Sequence, residues 1–83
     1  MAHVDIPLKD GIEIAGSGST TKAVRMRSPT VNDMLVADKS KGSDAEKEIA
    51  IFANLCSLTP DEIGKMSMRD YALIRKAWLD FLE

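Results

Sequence analysis

Residues 57–82 read SLTPDEIGKMSMRDYALIRKAWLDFL, and two helix starts lie inside this stretch. Thr59-Pro60-Asp61-Glu62 puts a hydroxyl at the N-cap, proline at the first helical position and glutamate at the third, the spacing of a capping box. Gly64 weakens that helix and Ser67 begins another, so it is short, with Ile63 and Met66 inward. Ser67-Met68-Arg69-Asp70 then opens a longer helix, with Asp70 in the first turn, where the helix dipole favours an acid. Along it Tyr71, Ile74, Trp78 and Phe81 form one apolar seam, and Arg69, Lys76, Asp80 and Glu83 occupy the other side. Lys76 and Asp80 stand one turn apart as an exposed pair of small value. Leu73 falls among the charges, while Met68 and Leu82 flank the seam. Met68, Leu73 and Leu82 are therefore the candidate partner-binding residues.

Upstream the same capping logic recurs. Ser43-Asp44-Ala45-Glu46 opens a helix carrying two apolar stripes, Ile49, Phe52 and Cys56 on one and Ile51, Leu55 and Leu58 on the other. Apolar on both sides, it is predicted to be central. Thr30 caps a helix over Val31–Lys39, with Asp33 near its positive end and Met34, Leu35 and Val31 facing inward. Arg27-Ser28-Pro29 separates this helix from what precedes it, because the residue before a proline is pushed out of helical angles.

The first 28 residues carry a different period. Val4, Ile6 and Leu8 alternate with His3, Asp5 and Pro7, as do Val24 and Met26 with Arg25 and Arg27, which predicts half-buried strands. Pro7 lacks an amide donor and marks an edge strand. Asp10-Gly11 is predicted to be a tight turn into Ile12 and Ile14, and Gly16–Thr21 a flexible loop. Such a ribbon cannot stand alone in water, so it packs on the helices or pairs its edge with a partner.

The predicted class is α+β, a single domain over residues 1–83. It has a ribbon of two or three strands within 1–28, then three or four helices within 30–83. The core is placed at Phe52, Leu55, Ile63, Tyr71, Ile74, Trp78 and Phe81, centred on the last helix.

Composition narrows the chemistry. Eleven basic against thirteen acidic residues give a net charge of −2, the wrong sign for non-specific nucleic-acid binding. Lys22, Arg25 and Arg27 read as a solvated strand edge. The single cysteine, Cys56, lies in an apolar run and reads as a small buried hydrophobe, with no internal disulfide to form. A catalytic thiol needs a base, and the lone histidine, His3, lies near a terminus. The carboxylates at 44–48 and 61–62 mark helix starts and lack the glycine and loop pattern of a calcium site. Gly16-Ser17-Gly18 lacks the lysine and following helix of a phosphate loop. No apolar run reaches the length of a membrane span. No catalytic, cofactor or metal site is called for, and protein–protein contact is the remaining chemistry.

The order of parts resembles the small tail assembly chaperones of contractile-tailed, Mu-like bacteriophages. The resemblance runs from about Gly11 to Leu82. It rests on Gly11-Ile12-Glu13-Ile14, on Val24-Arg25-Met26-Arg27-Ser28-Pro29 followed by Asp33, and on Leu58-Thr59-Pro60-Asp61-Glu62-Ile63. It ends on Ser67-Met68-Arg69-Asp70-Tyr71 leading into Trp78-Leu79-Asp80-Phe81-Leu82. The Gly/Ser-rich insert at 16–20 is longer than that pattern calls for. The resemblance implies a non-enzymatic assembly factor in the bacterial host cytoplasm. Its partner would be the long, helical tape measure protein, with tail tube subunits as a further partner, and it would be absent from the mature virion. It also implies a longer product made by ribosomal frameshifting, and Asp80-Phe81-Leu82 admits the slippery codons GAT TTT TTG. Two rival classes are a minor tail structural or completion subunit, which would persist in virions, and a small DNA-binding regulator. The regulator fits less well, because Asp70 and Asp80 interrupt the basic face of the last helix.

Overall fold

The computed structural model describes residues 3–14, 16 and 18–83. Met1, Ala2, Ala15 and Ser17, which the expected ribbon and its loop include, lie outside the described residues. The order is β1 (His3–Glu13), β2 (Thr20–Arg27), α1 (Val31–Asp38), α2 (Asp44–Cys56), α3 (Pro60–Gly64) and α4 (Met68–Phe81). The α+β class is as the alternation and capping signals predicted, with two strands in one antiparallel sheet.

The sheet forms because each strand buries every second residue. Ile6 and Leu8 of β1 and Val24 and Met26 of β2 are buried while their neighbours face solvent, and Ile6 pairs with Val24. Asp10-Gly11, expected to be a tight turn, instead lies inside β1. Pro7 pairs with Ala23 and Ile12 with Thr21, so Leu8, Lys9, Asp10 and Gly11 face Lys22 alone across a wide bulge. Gly11 adopts φ +85° there, and a Cβ on it would stand 2.7 Å from both the Thr20 methyl and the Thr21 carbonyl. Only glycine meets both conditions. β1 continues past the bulge to bury Ile12, and the Ile14 N–H donates to the Ser19 carbonyl at 3.0 Å near the hairpin end.

Capping fixes the helices in register. Thr30 with Asp33, Ser43 with Glu46 and Thr59 with Glu62 each form a complete capping box. α2 ends on Ser57 at φ +56°, ψ 42°, a left-handed position more often held by glycine, and the Leu58 N–H returns to the Ala53 carbonyl at 2.8 Å.

The core lies between the sheet and α2 rather than on α4. Ile12, Met26, Phe52, Leu55 and Ile74 are its most buried large apolar side chains, and Ile74 is the only apolar residue of α4 fully inside. Tyr71, Trp78 and Phe81 are half-buried and pack on its margin. The Tyr71 and Trp78 rings meet Phe52 tilted and edge-on, at centroid distances of 5.5 and 5.7 Å, geometries favoured by the ring quadrupole. The ribbon supplies a wall of this core, which is why it was not free to stand apart from the helices.

α1 departs most from expectation. Val31, Met34 and Leu35, expected inward, are exposed by 71%, 59% and 49%, and the buried residues of this helix are Asp33 and Ala37. The reason is electrostatic. Asp33 takes a bidentate bond from Arg27 (2.8 and 2.7 Å), a bond from Asn54 Nδ2 (3.1 Å) and one from the Thr30 amide (2.8 Å). A carboxylate so engaged rotates its own face of the helix inward. Arg27, expected to be a solvated edge residue, is accordingly drawn into an ion pair with a side chain only 7% exposed.

Candidate functional site

Two buried carboxylates orient the helices that carry the exposed apolar residues. Asp33 docks α1 onto the end of β2 and onto α2, as described above. Burial pushes its carboxyl up, but the Arg27 guanidinium is the larger influence and the Thr30 hydrogen bonds add to it, bringing the pKa to about 2. Asp70 does the corresponding work for α4. It has the spacing of a capping-box acid after Ser67, and its N–H donates to Ser67 Oγ at 3.3 Å. Its carboxylate, 0% exposed, reaches β1 and accepts the bulge amides of Lys9, Asp10 and Gly11 at 2.7, 3.0 and 3.0 Å. These are donors that the bulge withdraws from the strand ladder, and an anion satisfies all three. Burial alone would raise the Asp70 pKa; the three amides outweigh it and hold the carboxyl below its usual range. Arg69 seals the outside by donating to Asp10 from Nε at 2.7 Å.

Two of the open apolar grooves on the surface lie along one face of α4, toward its opposite ends. The larger, about 500 Å³, lies among α2, α3 and the start of α4, with a floor of Ile49, Ile63, Met66, Met68 and Tyr71. Met68 is 80% exposed, and a shallower continuation runs past it to Leu79. Asp44, Glu48 and Arg75 form the polar rim. Glu48 accepts from Tyr71 Oη at 2.6 Å and from Arg75 at 2.8 and 3.0 Å. Burial raises the Glu48 pKa, but those two donors outweigh it and hold it low, while burial and the Glu48 acceptor push the Tyr71 phenol up. The second groove, about 400 Å³, lies between α1 and α4 and is lined by Val31, Met34, Ile51, Trp78 and Leu82. Met34 and Ile51 also line a neighbouring hollow of about 400 Å³ beside Leu35 and Lys47.

The three candidate partner-binding residues are thereby separated. Met68 belongs to the larger groove and Leu82, 58% exposed, to the second. Leu73 is half-buried and packs against the core. The apolar face of α1 was missed, because reading Met34 and Leu35 as core left nothing to present. The spacing Arg27…Asp33 was the signal that could have reversed that reading.

Neither groove assembles a nucleophile with a base. Cys56 is buried away from both, its thiol pushed up to about 11 by burial. Among the described residues no group of three or more His, Cys, Asp or Glu side chains could hold a metal ion. No described helix is long and apolar enough to cross a membrane. What the described surface offers is exposed apolar side chains beside open hollows.

Residues 5–83 match the family described as phage tail assembly chaperone proteins, E, or 41 or 14. The chain belongs to this family. No curated protein and no solved structure matches it. The match takes in the ribbon from Asp5 onward, both docking carboxylates and both grooves of this tail assembly chaperone, and the family is the one that the resemblance over Gly11–Leu82 had named.

Proposed function

We propose that this tail assembly chaperone binds the tape measure protein during tail morphogenesis and keeps it soluble until tail tube subunits assemble around it. The family membership carries this reading. The larger groove supports it, since an open apolar trough beside exposed Met68 and Leu79 suits an amphipathic helix laid into it. Methionine is adaptable enough to accept successive, unlike segments of a long helical partner. In this role the protein acts by contact and without catalysis, in the bacterial host cytoplasm, and leaves before the virion is complete.

Co-expression with the tape measure protein tests the reading. The expected result is a soluble tape measure protein that co-purifies with the chaperone. Met68→Asp should abolish both effects while the urea unfolding curve stays within about 0.5 kcal/mol of wild type, since Met68 is a surface residue. A tape measure protein equally insoluble with and without the chaperone would overturn it. Recovery of the chain as a stoichiometric component of purified virions would favour a minor structural subunit instead.

A further inference from the structure

The apolar face of α1 lies outside the groove assigned to the tape measure protein. Val31, Met34, Leu35 and Asp38 fall on one side of the helix, at i, i+3, i+4 and i+7. Met34 stands between two hollows of about 400 Å³, one running to Trp78 and Leu82 and the other to Leu35 and Lys47. Contiguous exposed apolar surface of this kind marks an interaction site.

From this geometry we infer that a second copy of this chain docks on the α1 face, the two α1 helices crossing antiparallel about a two-fold axis between Met34 and Leu35. A two-fold interface must be self-complementary, and this face is. It offers both a protruding pair, Met34 and Leu35, and the hollows beside them that such a pair can enter. The charges agree. Asp38 closes the stripe at the negative end of α1, which has no basic residue in its last turn, and Asp38 makes no ion pair among the described residues. In the antiparallel register Asp38 of one copy lies beside Val31, at the positive end of the other copy's α1, where a carboxylate is favoured. The acid of that end, Asp33, caps the Thr30 amide from the inner side and is turned onto Arg27, which leaves the outward side of the first turn without a carboxylate. With three apolar side chains per copy on an eight-residue helix, the contact is small beside the roughly 1,000 Å² that a stable specific interface needs, so the dimer dissociates on dilution.

Sedimentation equilibrium on the full chain, over concentrations from about 1 µM to about 1 mM, tests this. The expected mass rises from one 9.1 kDa copy toward two. Met34→Asp and Leu35→Asp, both exposed positions, should hold it at one copy with unchanged circular dichroism. Asp38→Lys should weaken association at least tenfold, about 1.4 kcal/mol. A single-copy mass throughout would overturn the inference, and so would a dimer indifferent to Met34→Asp and Leu35→Asp. If wild type stays single and Met34→Asp instead loses the tape measure protein, the α1 face belongs to that partner and the inference is wrong. Dimerisation can fail without touching the proposed chaperone role, whose test reads Met68 and solubility.

Discussion

Asp70 should be the most sensitive single position in the ribbon–helix junction, and its replacement can be worked through from the geometry. Its carboxylate accepts three amides at 2.7–3.0 Å, and a hydrogen bond to a charged group contributes about 1.5–3 kcal/mol net. The full sum is not lost on substitution, because Lys9 and Asp10 are exposed and their freed amides can turn to water. Asp70→Ala should therefore cost about 3–5 kcal/mol, a large part of the roughly 4–12 kcal/mol expected for a chain of this length. Asp70→Asn keeps the shape but aims an NH₂ donor at N–H donors, and should cost about 2–4 kcal/mol. The pH dependence has a definite sign. Asp70 has a lowered pKa when folded, so its contribution is fully present above the unfolded carboxyl value, near 4, and fades as pH falls through the folded value. Urea unfolding of wild type and Asp70→Asn at pH 7 and at pH 3 reads this directly. The gap between the two proteins should narrow at the lower pH. In parallel, hydrogen exchange at Lys9, Asp10 and Gly11 should accelerate in the variant. An Asp70→Asn protein within 0.5 kcal/mol of wild type at pH 7, with those amides still protected, would refute the reasoning.

Other positions give independent readings. Asp33→Asn should cost about 2 kcal/mol at pH 7, the equivalent of lowering a carboxyl from 3.8 to about 2, and the loss should disappear as acid is added through that range, by urea unfolding. Gly11→Ala should destabilise by about 2–4 kcal/mol, because the left-handed φ and the 2.7 Å approaches to Thr20 and Thr21 act together, as thermal unfolding would show. Ser57→Gly should raise stability by about 0.5–1 kcal/mol, by relieving the left-handed C-cap of α2, in the same assay. Cys56 should resist an alkylating reagent at pH 8 in native buffer and react fully in urea, since burial and a pKa of about 11 both withhold its thiolate.

The local signals in this chain were strong and the long-range ones faint, which sorts what the sequence could reveal. Helix starts were legible because a capping box is written within four residues, and Thr30, Ser43, Thr59 and Ser67 each cap as read. Strand faces were legible through the alternation at Ile6, Leu8, Val24 and Met26. The bulge was not. An Asp-Gly pair inside an alternating run has the same local form as a hairpin turn, and the partner that distinguishes them, Asp70, lies sixty residues away. The apolar seam of α4 was visible, but its depth was not, since periodicity states which residues share a face and not which layer that face meets. Hence Tyr71 and Trp78 line the edge of a core whose centre is Phe52. Of the candidate site, Met68 and Leu82 were found as leftovers of the seam, while α1 was assigned its wrong face.

That error and the bulge share one cause. In a chain with little apolar surface to bury, a paired or amide-bound carboxylate can decide the orientation of a whole helix, because leaving it buried and unsatisfied costs more than exposing a few aliphatic groups. α1 exposes Val31, Met34 and Leu35 and buries Asp33; α4 anchors through Asp70 and leaves Met68 and Leu79 to solvent. The apolar surface is thus displaced outward by the polar anchors. Two consequences follow from one device: each helix is tied down through its first turn, and its apolar side remains available. The proposed role, holding other chains, needs both. Substituting the anchors should therefore loosen the fold, whereas substituting Met34 or Met68 should leave it standing and alter only what it binds.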